Sequence, residues 1–438
     1  MTSQFSISTE WASADHGPPE VRETSGFLNI SIGEHIATRA EDDWSKSVRP
    51  TVRVSAYPLA LWFAASWWRL RWEPSTDKER QSSIWKMAHE TPAAGYGFIW
   101  PRLVFESDGE VIDTTCFPSF PMVTEPIRYL EHFRASISAK QFEQGIDNFV
   151  ALVIARLDAV GVKNTHLRAL WQEVVQERAD VEASAQRRLE ARLGFEPDEA
   201  PTTVIVSLLD LRSEAGPDAV AEIAPACAGP NPKATLQEII DIGKSGGIDG
   251  RVKSPSTVKD LTKSAEYKKA EAWVRGRLLA GRVRSGWGLG KNAVSDDELA
   301  GILEIPAQAL RHEMNDGTGR PLGLAVRLNG SEKLKINLRR RARTGRRFEV
   351  ARLLVDSLIM PTEEHWLPTT DAKTSRQKAQ RAFAAEFLCP IDALVEYLDS
   401  EFSAEAIEEA GDYFGVSPLA IRSHLANNGL IHPDEVTP

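Results

Sequence analysis

The spacing of apolar residues changes along this chain, and the change constrains its fold more than any other feature. Before about residue 125, apolar and polar side chains alternate in three short runs, at 5–8, 27–32 and 51–55. This alternation is typical of half-buried strands. Farther along, apolar residues recur every three or four positions, at Ile127, Leu130 and Phe133 and then at Phe149, Leu152, Val153 and Leu157. That spacing predicts helices, so the chain is expected to be an α+β protein.

The chain is long enough for two or three domains, because its 438 residues are about two to three times the usual domain size. Stretches rich in Gly and Pro at 194–201, 226–232 and 243–256 are typical of loops. We therefore expect a mixed α/β domain at 1–125 with a helical extension at 126–228. A linker at 229–265 would precede a mostly helical domain at 266–400 and a C-terminal segment at 401–438.

The first domain is rich in tryptophan, with eight of the twelve tryptophans before residue 101. Such rings either fill a core or form a stacking surface for bases or a hydrophobic partner, and the core is the simpler interpretation. A helix is expected between Leu59 and Arg71, with Pro58 in its first turn. Asp108-Gly109 predicts the turn of a β-hairpin.

The sequence favours a cytoplasmic protein without a membrane span. Its longest apolar run, 57–68, is twelve residues and contains Pro58, whereas a span needs about 18 to 20. The N-terminus lacks the basic start and apolar stretch of a secretory signal. The cysteines are Cys116, Cys227 and Cys389, which lie more than a hundred residues apart and are expected to be buried thiols.

Two stretches of the second half carry a family resemblance. Residues 346–358 read RRFEVARLLVDSL, and residues 383–390 read FAAEFLCP. In this order, and with helical segments around them, they resemble the active-site helix and the following helix of the ImmA/IrrE family of zinc peptidases. The resemblance covers roughly residues 269–431 and implies a zincin-like fold for 266–400.

The residues at the family's metal positions do not suit zinc chemistry. HExxH places two imidazoles one helical turn apart beside a glutamate base. The corresponding residues here are Arg352, Leu353 and Asp356, and the third-ligand position falls at Gln377. Arginine repels Zn²⁺ and leucine cannot transfer a proton. The resemblance therefore implies a pseudopeptidase without a metal or other cofactor.

Neighbouring residues offer one way to rebuild a metal site. Glu349 lies on the same predicted helix, and Glu363, Glu364 and His365 follow it. A catalytic zinc needs three convergent protein ligands, and the sequence does not show them. Because Arg352 and Asp356 are spaced i and i+4, we expect them to form an ion pair instead.

A basic segment precedes and enters this helix, with eight cations and no acidic residue among them. They are Lys333, Lys335, Arg339, Arg340, Arg341, Arg343, Arg346 and Arg347. Such a run suits phosphates, an acidic protein partner or a charged, solvated strand edge, and the sequence leaves these three open.

Residues 401–438 are expected to form a helix-turn-helix-like end, with Ser417 as N-cap and Pro418 in the first turn of the second helix. In DNA-binding proteins of this shape the second helix reads base edges. The residues placed to do so here are Arg422, Ser423, His424 and Asn427. Simple packing is the favoured interpretation, both here and for the similar stretch 296–313.

These observations favour a non-catalytic interaction or regulatory protein that binds a protein, a nucleic acid or both. The resemblance places it in stress response, mobile-element control or phage defence. A metal-dependent hydrolase with an unconventional site and a DNA-binding transcriptional regulator are the alternatives.

Overall fold

The computed structural model describes residues 3–42, 46–76, 82–120, 126–311, 319–328, 332–432 and 435–436. The chain divides into two compact units, Met1–Ile205 and Val206–Pro438. Each unit combines helices with antiparallel strands, which confirms the predicted α+β class. No helix in the described part of the chain is long and apolar enough to cross a membrane.

The strands of the first unit form three antiparallel sheets. These strands are β1 (Phe5–Trp11), β2 (Ser25–Ile32), β3 (His35–Ile36), β4 (Ala40–Asp42), β5 (Ser47–Arg49), β6 (Val52–Ser55), β7 (Arg102–Ser107), β8 (Val111–Phe117), β9 (Ile127–Tyr129) and β10 (Phe133–Ser138). One sheet has the order β1-β2-β3 with β6 also on β2, the second β10-β8-β7 and the third β5-β4-β9. The three alternating runs predicted as strands fall in β1, β2 and β6, which confirms them.

The helices of the first unit cover these sheets. They are α1 (Pro19–Glu23), α2 (Ala56–Ala65), α3 (Trp67–Trp72), α4 (Ser83–His89), α5 (Ala139–Ala159), α6 (His166–Ala179) and α7 (Val181–Arg192), and α8 (Thr202–Ala215) crosses into the second unit. Pro58 lies in the first turn of α2, as predicted, and the hairpin β7–β8 turns at Gly109 with φ +96°.

Tryptophans form much of the first unit's core. Trp62, Trp67, Trp68, Trp85 and Trp100 are buried. All of them except Trp85 share one cluster with aromatic residues of β1, β7 and α5, within which the rings of Phe5 and Phe142 stack at 5.6 Å. Trp11 and Trp72 are half-buried against the same cluster, and Trp44 lies outside the described residues. The core interpretation is therefore confirmed for most of these rings.

The predicted boundary at residue 125 is wrong. Ile127 and Phe133, read as helical, lie in β9 and β10, which pair with β4 and β8. Helix α5 then packs on β1, with Phe142, Ile146 and Phe149 in the first unit's core. Residues 126–228 are thus no separate extension, because strand pairing and this shared core join their first part to the sheets.

The second unit surrounds one four-stranded antiparallel sheet with helices. Its strands are β11 (Ile248–Arg251), β12 (Gly323–Arg327), β13 (Lys333–Asn337) and β14 (Trp366–Thr369), in the order β11-β13-β12-β14. Its helices are α9 (Pro217–Ala226), α10 (Pro232–Lys244), α11 (Ser256–Lys263), α12 (Ala265–Lys269), α13 (Ala272–Gly286), α14 (Asp296–Ile302), α15 (Gln308–Arg311), α16 (Arg343–Ile359), α17 (Ser375–Leu388), α18 (Ile391–Leu398), α19 (Ala404–Phe414) and α20 (Pro418–Asn427).

The predicted linker at 229–265 is wrong as well. These residues form α10, β11 and α11, and β11 pairs with β13 from Ile248–Ile336 to Arg251–Lys333. Residues 248–251 form a strand because their backbone groups make hydrogen bonds to β13. The glycines in this stretch are nevertheless typical of a loop in the sequence. The second unit therefore begins near Val206 and not at residue 266.

Helices α16 and α17 lie side by side at the centre of this unit. Their apolar faces, including Leu353, Leu354, Phe383 and Phe387, join one buried cluster with α13 and the sheet. Where the two helices face each other at one end, polar side chains replace apolar ones. This polar junction contains three of the four positions that the family resemblance identifies.

Candidate functional site

Three of the four residues at the expected metal positions meet in the junction between α16 and α17. Arg352, Asp356 and Gln377 are 5%, 1% and 0% exposed. Leu353 is also fully buried, but it belongs to the apolar core. The position expected to carry the catalytic carboxylate is thus occupied by a core side chain.

Arg352 uses its guanidinium to bind α17 and the end of β14. Its Nη2 donates to the carbonyl of Thr370 at 2.7 Å and to Oε1 of Gln377. Its Nε donates to Oε1 of Gln380 at 3.3 Å. The Arg352 side chain therefore stands at the position aligned with the first histidine of HExxH, and its guanidinium donates to neutral acceptors there.

Asp356 has a different arginine as its partner. Nε and Nη2 of Arg376 donate to its Oδ2 at 2.9 and 2.6 Å, and Nε2 of Gln380 donates to the same oxygen at 2.7 Å. The predicted ion pair between Arg352 and Asp356 is therefore wrong. Gln380 lies between them, because its amide accepts from Arg352 and donates to Asp356.

Gln377 connects this junction to α9. Its Oε1 accepts from the amide of Thr370 at 3.0 Å, and its Nε2 donates to Oε2 of Glu222 at 2.9 Å. The hydroxyl of Thr374 donates to the same Glu222 oxygen at 2.8 Å. An amide suits this position because it donates and accepts at once, which a carboxylate cannot do.

The buried charges of the junction balance. Arg352 and Arg376 supply two positive charges, and Asp356 and Glu222 supply two negative charges. We call these four residues with Gln377 and Gln380 the buried network. Asp356 and Arg376 form an ion pair, whereas Arg352 and Glu222 have hydrogen bonds to neutral groups of the same junction. Hydrogen bonds and the nearby opposite charges reduce the cost of burying these groups.

The two arginines differ in their electrostatic environments. Burial lowers the pKa of Arg352 to about 9, helped by the charge of Arg381, while Glu349 acts the other way. Burial also acts to lower the pKa of Arg376, but Asp356 outweighs it and the net shift is upward. The firmly held cation of the network is therefore Arg376, a residue that sequence reasoning missed.

Of the neighbours considered for a rebuilt metal site, Glu363 is exposed, and the other three have hydrogen-bond partners elsewhere. The carboxylate of Glu364 accepts from the amides of Asp218 and Ala219, at 3.0 and 2.8 Å, in the first turn of α9. His365 Nδ1 lies 3.0 Å from the carbonyl oxygen of Glu214. Glu349 accepts from the backbone amides of Arg339 and Arg340.

The approach of Glu364 to α9 depends on Gly216. A Cβ at this glycine would lie 2.5 Å from Oε2 of Glu364, and its φ of +104° favours glycine. Within the described residues, no group of three His, Cys, Asp or Glu side chains could hold a metal ion.

Comparisons with protein-family models, curated proteins and solved structures gave no match.

The basic segment is less available than its sequence suggests. Arg346 and Arg347 are each 1% exposed and donate to backbone carbonyls. Nε of Arg346 lies 2.7 Å from the oxygen of Ala309, and Nε of Arg347 lies 2.9 Å from that of Gly415. The prediction that these two arginines contact a polyanion is wrong. Their buried guanidinium groups connect the start of α16 to the backbone of neighbouring segments.

Other cations of the segment have acidic partners. The bridges are Lys335 to Asp249 at 2.5 Å, Arg339 and Arg340 to Asp371 at 2.8 and 2.9 Å, and Arg343 to Asp296 at 2.9 Å. Lys333 is exposed on β13. Arg341 is exposed and has no ion pair within the described part of the chain.

The C-terminal helices form where they were predicted. Gly415 ends α19 with φ +65°, and Ser417 caps α20 through the amide of Ala420. His424, however, is buried, and its Nε2 lies 3.4 Å from the carboxylate of Glu386 on α17. The prediction that His424 contacts DNA is therefore wrong. Arg422 donates to the carbonyl of Glu435 at 3.2 Å.

The other two candidate DNA contacts, Asn427 and Ser423, differ in solvent exposure. Asn427 is exposed, whereas Ser423 is half-buried. In the similar stretch 296–313, α14 and α15 are present, and residues 312 and 313 lie outside the described residues.

The three cysteines are buried free thiols, as the sequence predicted. Burial raises the pKa of Cys116 and of Cys227 to about 12. Burial also raises the pKa of Cys389, and the charge of Glu386 adds to the rise. At neutral pH these thiols are protonated, so they are poor nucleophiles.

Proposed function

We propose that the second unit is a non-catalytic scaffold of the ImmA/IrrE type and that the protein acts by binding a partner. The partner is a protein, a nucleic acid or both. The family resemblance places the binding in stress response, mobile-element control or phage defence. One observation carries the proposal: the residues at the metal positions form a filled, charge-balanced network.

Convergence of these positions supports the alignment. Arg352 and Asp356 lie one turn apart on α16, and Gln377 contacts Arg352 from α17. In the peptidases this arrangement would bring three ligands to one metal. Residues aligned at random on two helices would not be expected to meet in one buried cluster.

The composition of the network supports the loss of catalysis. A hydrolytic zinc site needs three protein ligands, an open coordination position and a base near the bound water. Here arginine and an amide occupy ligand positions, and Leu353 occupies that of the base. The space between the helices is used for hydrogen bonds that stabilise the fold.

The test is to rebuild the ligand set within the full chain. The variant carries Arg352→His, Asp356→His and Gln377→Glu. It also carries Arg376→Met, because this arginine would otherwise remain beside the metal without Asp356. Leu353 stays unchanged because its side chain lies in the core. The folded variant should bind about one zinc per chain, as measured by metal analysis after dialysis.

A matched control keeps three of these changes and carries Asp356→Ala, which removes one imidazole. It should bind zinc at least about tenfold more weakly. A folded rebuilt variant without zinc would refute the alignment. Stoichiometric zinc in the wild-type protein, with metal-dependent cleavage of a protein substrate, would refute the non-catalytic assignment.

A further inference from the structure

An exposed pair of tyrosines distinguishes the C-terminal part of the second unit. Tyr397 of α18 and Tyr413 of α19 stack with ring centroids 4.8 Å apart, yet they are 42% and 53% exposed. Both rings contact the buried Phe414, which fixes them from below. Rings held in this way lose little entropy when a partner binds.

The chain around the tyrosines is acidic. Between Ile391 and Ile421 it has no lysine or arginine and eight acidic residues, all of them exposed. These residues are Asp392, Glu396, Asp399, Glu401, Glu405, Glu408, Glu409 and Asp412. One of them, Glu396, has a cation partner, Lys291, at 3.1 Å.

Several acids on α19 oppose the stability of the helix, although Glu405 in the first turn is favoured by the helix dipole. Glu405 and Glu409, and likewise Glu408 and Asp412, are like charges spaced i and i+4, which repel. Asp412 also lies in the last turn of α19, where the helix dipole disfavours negative charge. Charges that oppose local stability are better explained by a ligand than by the fold.

Carboxylates and a tyrosine lie along one side of this helix. Glu405, Glu409 and Tyr413 follow at four-residue intervals, which places them on neighbouring turns of the same side. We call these three residues, together with Tyr397, the tyrosine face. An unpartnered face of this kind combines exposed aromatic area with negative charge.

We propose that the tyrosine face binds an arginine- or lysine-rich segment of a partner protein. Tyrosine rings attract a guanidinium or ammonium group by cation–π interaction and cover its aliphatic stem. The carboxylates supply the opposite charge, and arginine can bind them with two parallel hydrogen bonds. Phosphates are repelled here, so a nucleic acid is not the occupant of this face.

This inference names the partner class for the proposed binding function and rests on it. The two can fail separately. The zinc experiment concerns only the junction of α16 and α17, whereas the experiment below concerns only the tyrosine face.

The test measures binding of a fluorescein-labelled peptide of alternating arginine and glycine to the full chain by fluorescence anisotropy. The double variant Tyr397→Ser, Tyr413→Ser leaves the net charge unchanged and should weaken binding by about fivefold. The double variant Glu405→Gln, Glu409→Gln should weaken it by about tenfold and reduce its salt dependence. Circular dichroism should show that both variants remain folded.

The matched control is Glu238→Gln, Asp260→Asn, which makes the same charge change at exposed positions of α10 and α11. It should alter the affinity by less than about twofold. Equal affinities in all variants, or equal losses in the control and in the Glu405, Glu409 variant, would refute the proposal. A self-associating chain that the tyrosine substitutions dissociate, measured by analytical ultracentrifugation, would also refute it by showing a second copy on this face.

Discussion

Removing Asp356 should destabilise the second unit more than removing Arg352. Asp356→Ala takes the carboxylate from Arg376, whose side chain is 12% exposed against 1% for Asp356. Breaking one side of a buried ion pair costs about 3–5 kcal/mol, because the remaining charge stays unpaired. Gln380 Nε2 also loses one of its two acceptors and keeps the carbonyl of Pro368.

Arg352→Met should cost less, about 1–3 kcal/mol, because only one acceptor is left without a donor. Gln377 Oε1 still accepts from the amide of Thr370, and the Thr370 carbonyl still accepts from Arg381. Gln380 Oε1 loses its donor. Methionine keeps much of the buried volume, so the cavity cost is small.

Double-mutant cycles separate the two possible partners of Asp356. Asp356→Ala and Arg376→Met should couple by about 2–3 kcal/mol, since each removes the same direct interaction. Asp356→Ala and Arg352→Met should couple by no more than about 1 kcal/mol, because they communicate only through Gln380. Arg341→Met, at an exposed position, is the control and should cost under about 0.5 kcal/mol.

The assay is urea unfolding followed by circular dichroism and tryptophan fluorescence. Because the chain has two compact units, the data are fitted with two transitions, and the one displaced by Asp356→Ala is assigned to the second unit. A larger coupling for Arg352 with Asp356 than for Arg376 with Asp356 would refute the described network.

Two further predictions concern charges near α16. Burial acts to raise the pKa of Asp296, but Arg343 and Arg347 outweigh it and hold the pKa below its ordinary value. The stabilisation is therefore present above the unfolded pKa of about 3.9 and is lost as the pH falls through the folded pKa. Asp296→Asn should lower the free energy of unfolding at pH 7. In urea titrations, the difference in this free energy between wild type and variant should shrink as the pH falls below the unfolded pKa of about 3.9. A difference independent of pH would contradict this. Arg341→Glu should reduce the slope of log affinity against log salt concentration, for a labelled single-stranded oligonucleotide, by about one. The control Lys259→Glu on α11 should leave this slope unchanged. Equal slopes for the two variants would exclude the basic segment as a polyanion site.

The sequence predicted those strands and helices that are specified by neighbouring residues in the chain. Alternation identified β1, β2 and β6 because one face of each strand is buried, and the caps Ser417 and Pro418 identified the start of α20. It misassigned Ile127 and Phe133, because three apolar positions over seven residues fit one side of a helix as well as two short strands. Pairing with β4 and β8 decides between them, and that pairing is not local.

The glycines of the predicted linker show the same limit. A Cβ at Gly247 would lie 2.8 Å from the carbonyl oxygen of Ile336 on β13. This glycine therefore permits a close backbone approach, whereas in the sequence it resembles a flexible loop. Composition does not distinguish these two reasons for a glycine.

The candidate site was predictable in its positions but not in its contacts. The family resemblance identified Arg352, Asp356 and Gln377, which share one network. The i, i+4 rule then chose the wrong partner for Asp356, because the rule considers only one helix. The register between α16 and α17 places Arg376 nearer, and Glu222 carried no signal in the sequence.

Helix α9 limits how this protein can be divided. Glu364, far along the chain, holds its first turn, and Glu222 on the helix accepts from Thr374 and Gln377. A gene fragment starting at residue 266, just before the stretch that resembles the peptidases, would remove α9 from Glu364, Thr374 and Gln377. Recombination can therefore transfer this scaffold between proteins intact only if the breakpoint lies before Pro217. The segment that must be inherited together is longer than the stretch that resembles the peptidases.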